Sequence, residues 1–213
     1  MPELQKQFIE FLIDNNALQF GEFKLKSGRI SPYFFNLGVF HTGKSLSQLG
    51  EFYAETLLNS RMHCDVLFGP AYKGIPLVTA TSIILFEKFN KNIPYCFNRK
   101  ETKDHGDAGN FVGAALQGNI VMLDDVITAG TTVRETIKLL ENTEATLSGI
   151  IIAFDRQERG IGALSAVQEA VKTHKIPVQS IITLSDVVQY LATQKKLKVH
   201  LDAIEQYRKQ YGA

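Results

Sequence analysis

The chain has 213 residues, 45% hydrophobic and 21% charged, a composition that excludes a disordered or fibrous protein and suits one compact α/β unit able to bury its own core. Its 23 basic and 22 acidic side chains leave a net charge of +1, which argues against a broad electrostatic footprint for duplex nucleic acid or an anionic membrane, so any anion site must be local. Cys64 and Cys96 form no CxxC pair and follow no secretory leader, so reduced thiols in a cytoplasmic protein are expected, and the longest apolar stretch, around Ile75 to Phe86, is too interrupted to span a bilayer.

Leu4, Phe8, Phe11 and Leu12 recur at helical spacing and predict an opening amphipathic helix from Glu3 to about Asn15. Phe20 to Leu25 and Ile30 to Phe35 read as a hairpin around Ser27-Gly28. A helical face follows through Leu46, Leu49, Phe52, Tyr53, Thr56 and Leu57. From there strands and helices alternate: strand Val66 to Phe68, helix Ile75 to Phe89, strands Pro94 to Phe97 and Ile120 to Leu123, and helix Thr132 to Glu141. Strand Leu147 to Phe154, helix Ser165 to His174 and strand Ser180 to Thr183 complete the series. Near-continuous apolar strands separated by helices predict a mostly parallel sheet covered on both faces. Ligands of such sheets gather beyond the carboxyl ends of the strands, which directs attention to 69–74, 99–109, 124–132 and 155–156.

The segment from Asn119 to Arg134 carries the most chemistry. Ile120 to Leu123 forms a buried strand, and Asp124 and Asp125 stand where it leaves the sheet. Two adjacent carboxylates there are costly to desolvate unless they bind something, and a sugar diol or a metal ion meets that need. Thr128-Ala129-Gly130-Thr131-Thr132 then opens a helix with small residues, whose N–H groups and hydroxyls can wrap a phosphate dianion. A phosphorylated sugar fits both halves. The plainer reading makes Asp124 a helix cap and the Thr/Gly run an ordinary turn. The segment is similar to the signature by which type I phosphoribosyltransferases hold 5-phosphoribosyl 1-diphosphate, with the paired acids on the ribose hydroxyls and the following loop on the 5-phosphate.

A competing motif lies earlier. Gly38 to Ser45 satisfies G-x-x-x-x-G-K-[ST], and Ile120 to Asp125 could serve as the acidic strand of a P-loop nucleotidase. Against it, Ile30 to Asn36 contains a proline and lacks the apolar run of a central P-loop strand. Gly43 is therefore expected to start a surface helix. Gly160-Ile-Gly162 lacks the third glycine of a dinucleotide motif and reads as a flexible turn.

Between Arg99 and Gly109 the chain packs Arg99, Lys100, Lys103 and His105 among glycines with no apolar periodicity, which predicts a mobile loop. A charge run is usually a solvated face. In a chain of almost no net charge, though, concentrated donors on a glycine-hinged loop suit a polyanion such as diphosphate.

Taken together, Leu25 to Asn36, Tyr72-Lys73-Gly74, the Arg99 to Gly106 loop and Asp155-Arg156 resemble the orotate phosphoribosyltransferases, in the family's order and over essentially the whole chain. The resemblance implies a single type I phosphoribosyltransferase domain over 1–213, with a small hood from about 1–40 and a mobile catalytic loop. It implies that Lys26, Phe34, Phe35, Thr128 and Arg156 hold orotate. Tyr72, Lys73, Arg99, Lys100, Lys103 and His105 would then meet 5-phosphoribosyl 1-diphosphate, together with Asp124, Asp125, Val126, Ile127, Thr128, Ala129, Gly130, Thr131 and Thr132. Lys103, Lys100, His105, Asp124 and Asp125 would be catalytic. Magnesium would be held mainly by substrate, near Asp124 and Asp125, and loop 99–109 would complete the neighbouring site of a homodimer. Departures fall at Asp107-Ala108-Gly109, where Glu-Gly-Gly is more usual, and at Thr132, where alanine is usual; neither removes a charge. Taken singly, Lys26 could be a solvated hairpin lysine, Phe34 and Phe35 ordinary core, and Arg156 one half of a surface pair with Glu158. A phosphoribosyltransferase of other base specificity would keep Asp124 to Thr132 without needing Lys26 and Arg156.

Overall fold

The computed structural model describes residues 1–25, 28–100, 110–128, 130–141, 143–160 and 162–213. Helix α1 (Glu3–Asp14) buries Phe8, Ile9, Phe11 and Leu12 on one side, as the spacing of its apolar residues requires. Strands β1 (Leu18–Lys24) and β2 (Ile30–Phe35) pair antiparallel in a two-stranded sheet of their own. A single 3-10 turn at Leu37–Val39 then leads into α2 (Gly43–Ser60), capped by the Thr42 side chain.

The rest follows the expected series with one added strand, β5: β3 (Val66–Gly69), α3 (Gly74–Phe89), β4 (Tyr95–Asn98), β5 (Phe111–Gly113), β6 (Gln117–Asp124), α4 (Thr131–Leu140), β7 (Glu144–Asp155), α5 (Ala166–His174) and β8 (Val178–Thr183). Two further helices, α6 (Leu184–Thr193) and α7 (Leu201–Tyr211), extend the chain beyond the expected series. The six strands lie in the order β5-β4-β3-β6-β7-β8, all parallel except β5, which pairs antiparallel with β4 at the edge.

Successive residues of the central strands enter opposite cores. Leu67, Val121, Leu123, Ile151 and Ala153 meet Leu49, Tyr53 and Leu57 of α2, Leu77 and Leu85 of α3, and Phe8 and Leu12 of α1. Val66, Phe68, Ile120, Met122, Ile150 and Ile152 meet Val133 and Leu140 of α4 and Ala170 of α5. Burial on both faces is why these strands read as unbroken apolar runs. Among the described residues no helix is long and apolar enough to cross a membrane. Burial pushes the Cys64 thiol up to about 12 and the Cys96 thiol up to about 11, so both are poor nucleophiles at neutral pH.

The topology creates a crevice. From β3 the chain moves outward to β4 and β5, and β6 returns to the other side of β3 before β7 and β8 continue away. The carboxyl ends of β3, β6 and β7 therefore lie side by side, and the loops that follow β3 and β6 part where the winding direction reverses.

Candidate active site

A cleft of about 390 Å³ opens at that reversal, lined by Pro70, Ala71, Tyr72, Lys73, Asp124, Asp125, Val126, Thr128 and Thr132. A smaller hollow of about 230 Å³ lies between α1, α2 and β8, but its lining residues are all uncharged. The chemistry is gathered in the first.

The loop from Gly69 to Gly74 is a tight passage from strand to helix. A β-carbon on Gly69 would stand 2.3 Å from the Gly74 carbonyl oxygen, and one on Gly74 would stand 2.6 Å from the Gly69 carbonyl carbon, so only glycine fits at either end. Asn98, at the end of β4, accepts the Ala71 N–H at 2.8 Å and ties the loop to the neighbouring strand; the Ala71–Tyr72 peptide is cis. Tyr72 is 69% exposed, and Lys73 reaches across the cleft to Asp125, Nζ to Oδ2 at 2.5 Å.

Asp124 and Asp125 are both buried at the end of β6. Asp124 Oδ1 accepts the Asp125 N–H at 2.8 Å, and Asp125 Oδ1 accepts the Val126 N–H at 2.9 Å. The backbone that carries them is fixed from two sides. Tyr53 of α2, fully buried, donates its hydroxyl to the Asp124 carbonyl at 2.7 Å, and the Ala153 N–H of β7 reaches the Asp125 carbonyl at 3.0 Å. Burial, and then the charge of Asp125, push the Asp124 carboxyl up to about 7, while Lys73 acts the other way. Asp124 does not cap a helix: the residue before α4 is Gly130, left-handed at φ 66°, which has no side chain to offer. The first N–H groups of α4 thus have no side-chain cap and lie beside Thr128 and Thr132 of the cleft, an arrangement that can receive an anion, and the plainer reading of Asp124 as a helix cap fails.

The two carboxylates suit a divalent cation whose other ligands come from a bound molecule. Among the described residues no group of three or more His, Cys, Asp or Glu side chains is placed to hold a metal by itself.

The remaining expected residues fall in three groups. Lys26, Lys103, His105 and Ala129 lie outside the described residues. Arg99 and Lys100 stand at the root of the basic segment, where the Arg99 N–H meets the Asn110 carbonyl at 2.7 Å and brings the two ends of 100–109 together; Lys100 is exposed. Arg156, Phe34 and Phe35 do not line the cleft. Phe34 is exposed on the hairpin and stacks on Phe23, and Phe35 packs edge-on against Phe154. Arg156 follows β7, next to β6 in the sheet, and does pair with Glu158. That pair is not on the surface: the two side chains are 16% and 15% exposed. Sequence reasoning passed over Tyr53 and Asn98, because a phenol and an amide that act on distant backbone atoms carry no local signature.

The Gly38 to Ser45 segment has no P-loop geometry. It follows the separate two-stranded sheet rather than a central strand, Asn36 accepts the Gly38 N–H, and Thr42 and Ser45 spend their hydroxyls capping α2. The 160–162 turn lies partly outside the described residues; Gly160 donates its N–H to the Leu164 carbonyl at 3.0 Å.

Comparison with known proteins gives the family of the chain. The family model of the phosphoribosyl transferase domain matches residues 39–179. The orotate phosphoribosyltransferase of Proteus mirabilis is 53% identical over 212 residues, covering 100% of this chain and 99% of the relative. That of Pseudomonas syringae pv. tomato is 54% identical over 100% of both chains. The crystal structure of the Francisella tularensis orotate phosphoribosyltransferase superposes with a TM-score of 0.89 at 42% identity, over 97% of this chain and 100% of that one. Likeness of this extent runs through hairpin, crevice and C-terminal helices alike, and the chain belongs to the orotate phosphoribosyltransferase family.

Proposed function

We propose that the chain transfers the phosphoribosyl group of 5-phosphoribosyl 1-diphosphate to orotate, giving orotidine 5'-phosphate and diphosphate, as a step in pyrimidine nucleotide synthesis. The observation that carries this reading is the juxtaposition, in one cleft, of a buried acid pair with the uncapped N-terminus of α4 and with Lys73 opposite. The acids accept the two ribose hydroxyls, the 128–132 turn receives the 5-phosphate, and Tyr72 and Lys73 lie on the diphosphate side.

Magnesium fits the donor set: it would be held mainly by the substrate, with Asp124 and Asp125 beside it. When bound it offsets charge on the departing diphosphate. The chain's own groups do the rest. As the C1–O bond breaks, positive charge grows on the ribose ring and negative charge on diphosphate. Lys73, Lys100, Lys103, His105 and Arg99 neutralise the leaving oxygens, and Lys73 must exchange Asp125 for them. Thr128, which lines the cleft, and Lys26, Phe34, Phe35 and Arg156 hold the pyrimidine so that its ring nitrogen donates an electron pair to C1.

The reading includes one domain over 1–213 with the hairpin and α1 as a hood, supported by a core that α1, β1 and β2 share with α2 and the central strands. It includes a cytoplasmic homodimer in which loop 99–109 completes the partner's site. An apolar stripe supports the second copy: Ile83 and Phe86 on α3 are 51% and 57% exposed, one helical turn apart.

The test is loss of orotate absorbance with 5-phosphoribosyl 1-diphosphate and magnesium. Turnover that stops with chelator and returns with magnesium is expected. Equal turnover in chelator contradicts the metal, and no consumption of orotate contradicts the base.

A further inference from the structure

Behind Arg156 lies a cluster that the transfer chemistry above does not use. Glu158 Oε1 accepts from Arg156 Nε at 2.9 Å, from Arg156 Nη2 at 2.7 Å and from the Tyr33 hydroxyl at 2.7 Å, while Arg29 Nη1 stands 3.8 Å from Oε2. The Arg156 guanidinium lies over the Tyr33 ring, 4.9 Å from its centre, and Arg29 lies 4.7 Å over the Tyr211 ring. One carboxylate thus joins the hairpin, the segment after β7 and, through Tyr211, the end of α7.

The backbone around Glu158 is held as firmly as its side chain. Glu158 bridges Gly212 in antiparallel fashion, the Arg159 N–H reaches the Tyr211 carbonyl at 2.8 Å, and the Ala213 N–H reaches the Gln157 carbonyl at 2.9 Å. Gln157, left-handed at φ 52°, turns its side chain onto Ser185 of α6, N–H and hydroxyl at 3.0 and 2.7 Å.

Resting on the reading of Arg156 as a pyrimidine contact, we infer that Glu158 is a positioning residue that aims the Arg156 guanidinium at the pyrimidine, with residues 211–213 fixing the carboxylate from behind. Three observations carry it. Glu158 takes Nε and one N–H of Nη2, so the guanidinium is fixed in rotation and its Nη1 side is left for a ligand. Both side chains are largely buried, where a misaimed fork has no water to re-solvate it. Two arginines against one glutamate leave a local charge of +1, which matches a base carrying one carboxylate rather than a neutral one.

The experiment compares Glu158→Ala, Glu158→Gln and Tyr33→Phe in the full chain, measuring KM for orotate, KM for 5-phosphoribosyl 1-diphosphate and kcat. Glu158→Ala is expected to raise KM for orotate about tenfold, with the other two constants within about twofold, the scale of one charge-assisted contact. Glu158→Gln keeps an oxygen for Arg156 and Tyr33 and is expected to recover most of the loss. Should Glu158→Ala fail to fold, Tyr33→Phe, which deletes a single donor to the same oxygen, is expected to raise KM for orotate alone. An unchanged KM for orotate, or a parallel rise for both substrates, overturns the inference. Orotate consumption by the unaltered chain is measured first. Its absence counts against the proposed reaction, whereas turnover with an unchanged KM in the variants counts against the positioning role alone.

Discussion

At the scale of single residues, the state of Asp124 is set by its surroundings. Burial first, and Asp125 second, raise its carboxyl to about 7 in the folded chain, against about 3.9 for an unfolded aspartate. The folded state therefore binds a proton between those values that the unfolded state has released. The stability this contributes is complete below the unfolded value and is lost as pH rises through the folded one. The melting temperature of the native chain, measured against that of Asp124→Asn, is expected to fall as pH rises from about 4 to about 8. Parallel melting curves over that range would mean that Asp124 is charged throughout. The acid pair and the Thr/Gly turn were readable in the sequence because both are contiguous and chemically unusual at the end of an apolar strand. The pairing of Glu158 with Arg156 was readable too, but its contact with Tyr33 was not: 125 positions separate them, and only the fold brings the phenol to the carboxylate.

Among the elements, the passage from β3 to α3 has the least room. Gly69 and Gly74 pack backbone against backbone, and a β-carbon on Gly74 would also stand 2.7 Å from the Pro70 ring. Gly74→Val is expected to cost about 1–3 kcal/mol by overpacking, read as a lower denaturation midpoint, with a higher KM for 5-phosphoribosyl 1-diphosphate because Tyr72 and Lys73 move with the loop. A variant of native stability and native KM would show that the loop tolerates the displacement. Element type followed from periodicity, whereas element ends did not. β6 begins at Gln117, three residues before its apolar run, because Gln117 to Asn119 pair with Glu144 to Thr146 and Asp65 accepts the Asn119 N–H at 2.7 Å. β5 is three residues long and exists through its partner β4, so no alternation announces it. α6 and α7 carry signals of their own in the sequence: a Thr183/Asp186 capping box, and Leu201, Ile204, Tyr207 and Tyr211 at helical spacing.

For the whole molecule, the sheet order places three strand ends together. The mostly parallel sheet was legible because strands buried on both faces lose the alternation that marks a half-solvated sheet. What a second subunit would contribute is not written in any one element. If loop 99–109 serves the neighbouring site, mixing equal amounts of an Asp125→Asn chain and a Lys103→Ala chain is expected to restore about a quarter of the native sites, since half the dimers are mixed and each has one intact site. No recovery after subunit exchange would place the loop in its own subunit's site.

The central claim is that the acid pair and the turn beside it hold one phosphorylated sugar. A crystal structure of the chain soaked with 5-phosphoribosyl 1-diphosphate and magnesium tests it most directly. The 5-phosphate is expected within about 3 Å of the N–H groups of 128–132, with the ribose hydroxyls on Asp124 and Asp125. A phosphate seated at Gly38 to Ser45 instead, or a ribose turned away from both acids, would contradict it.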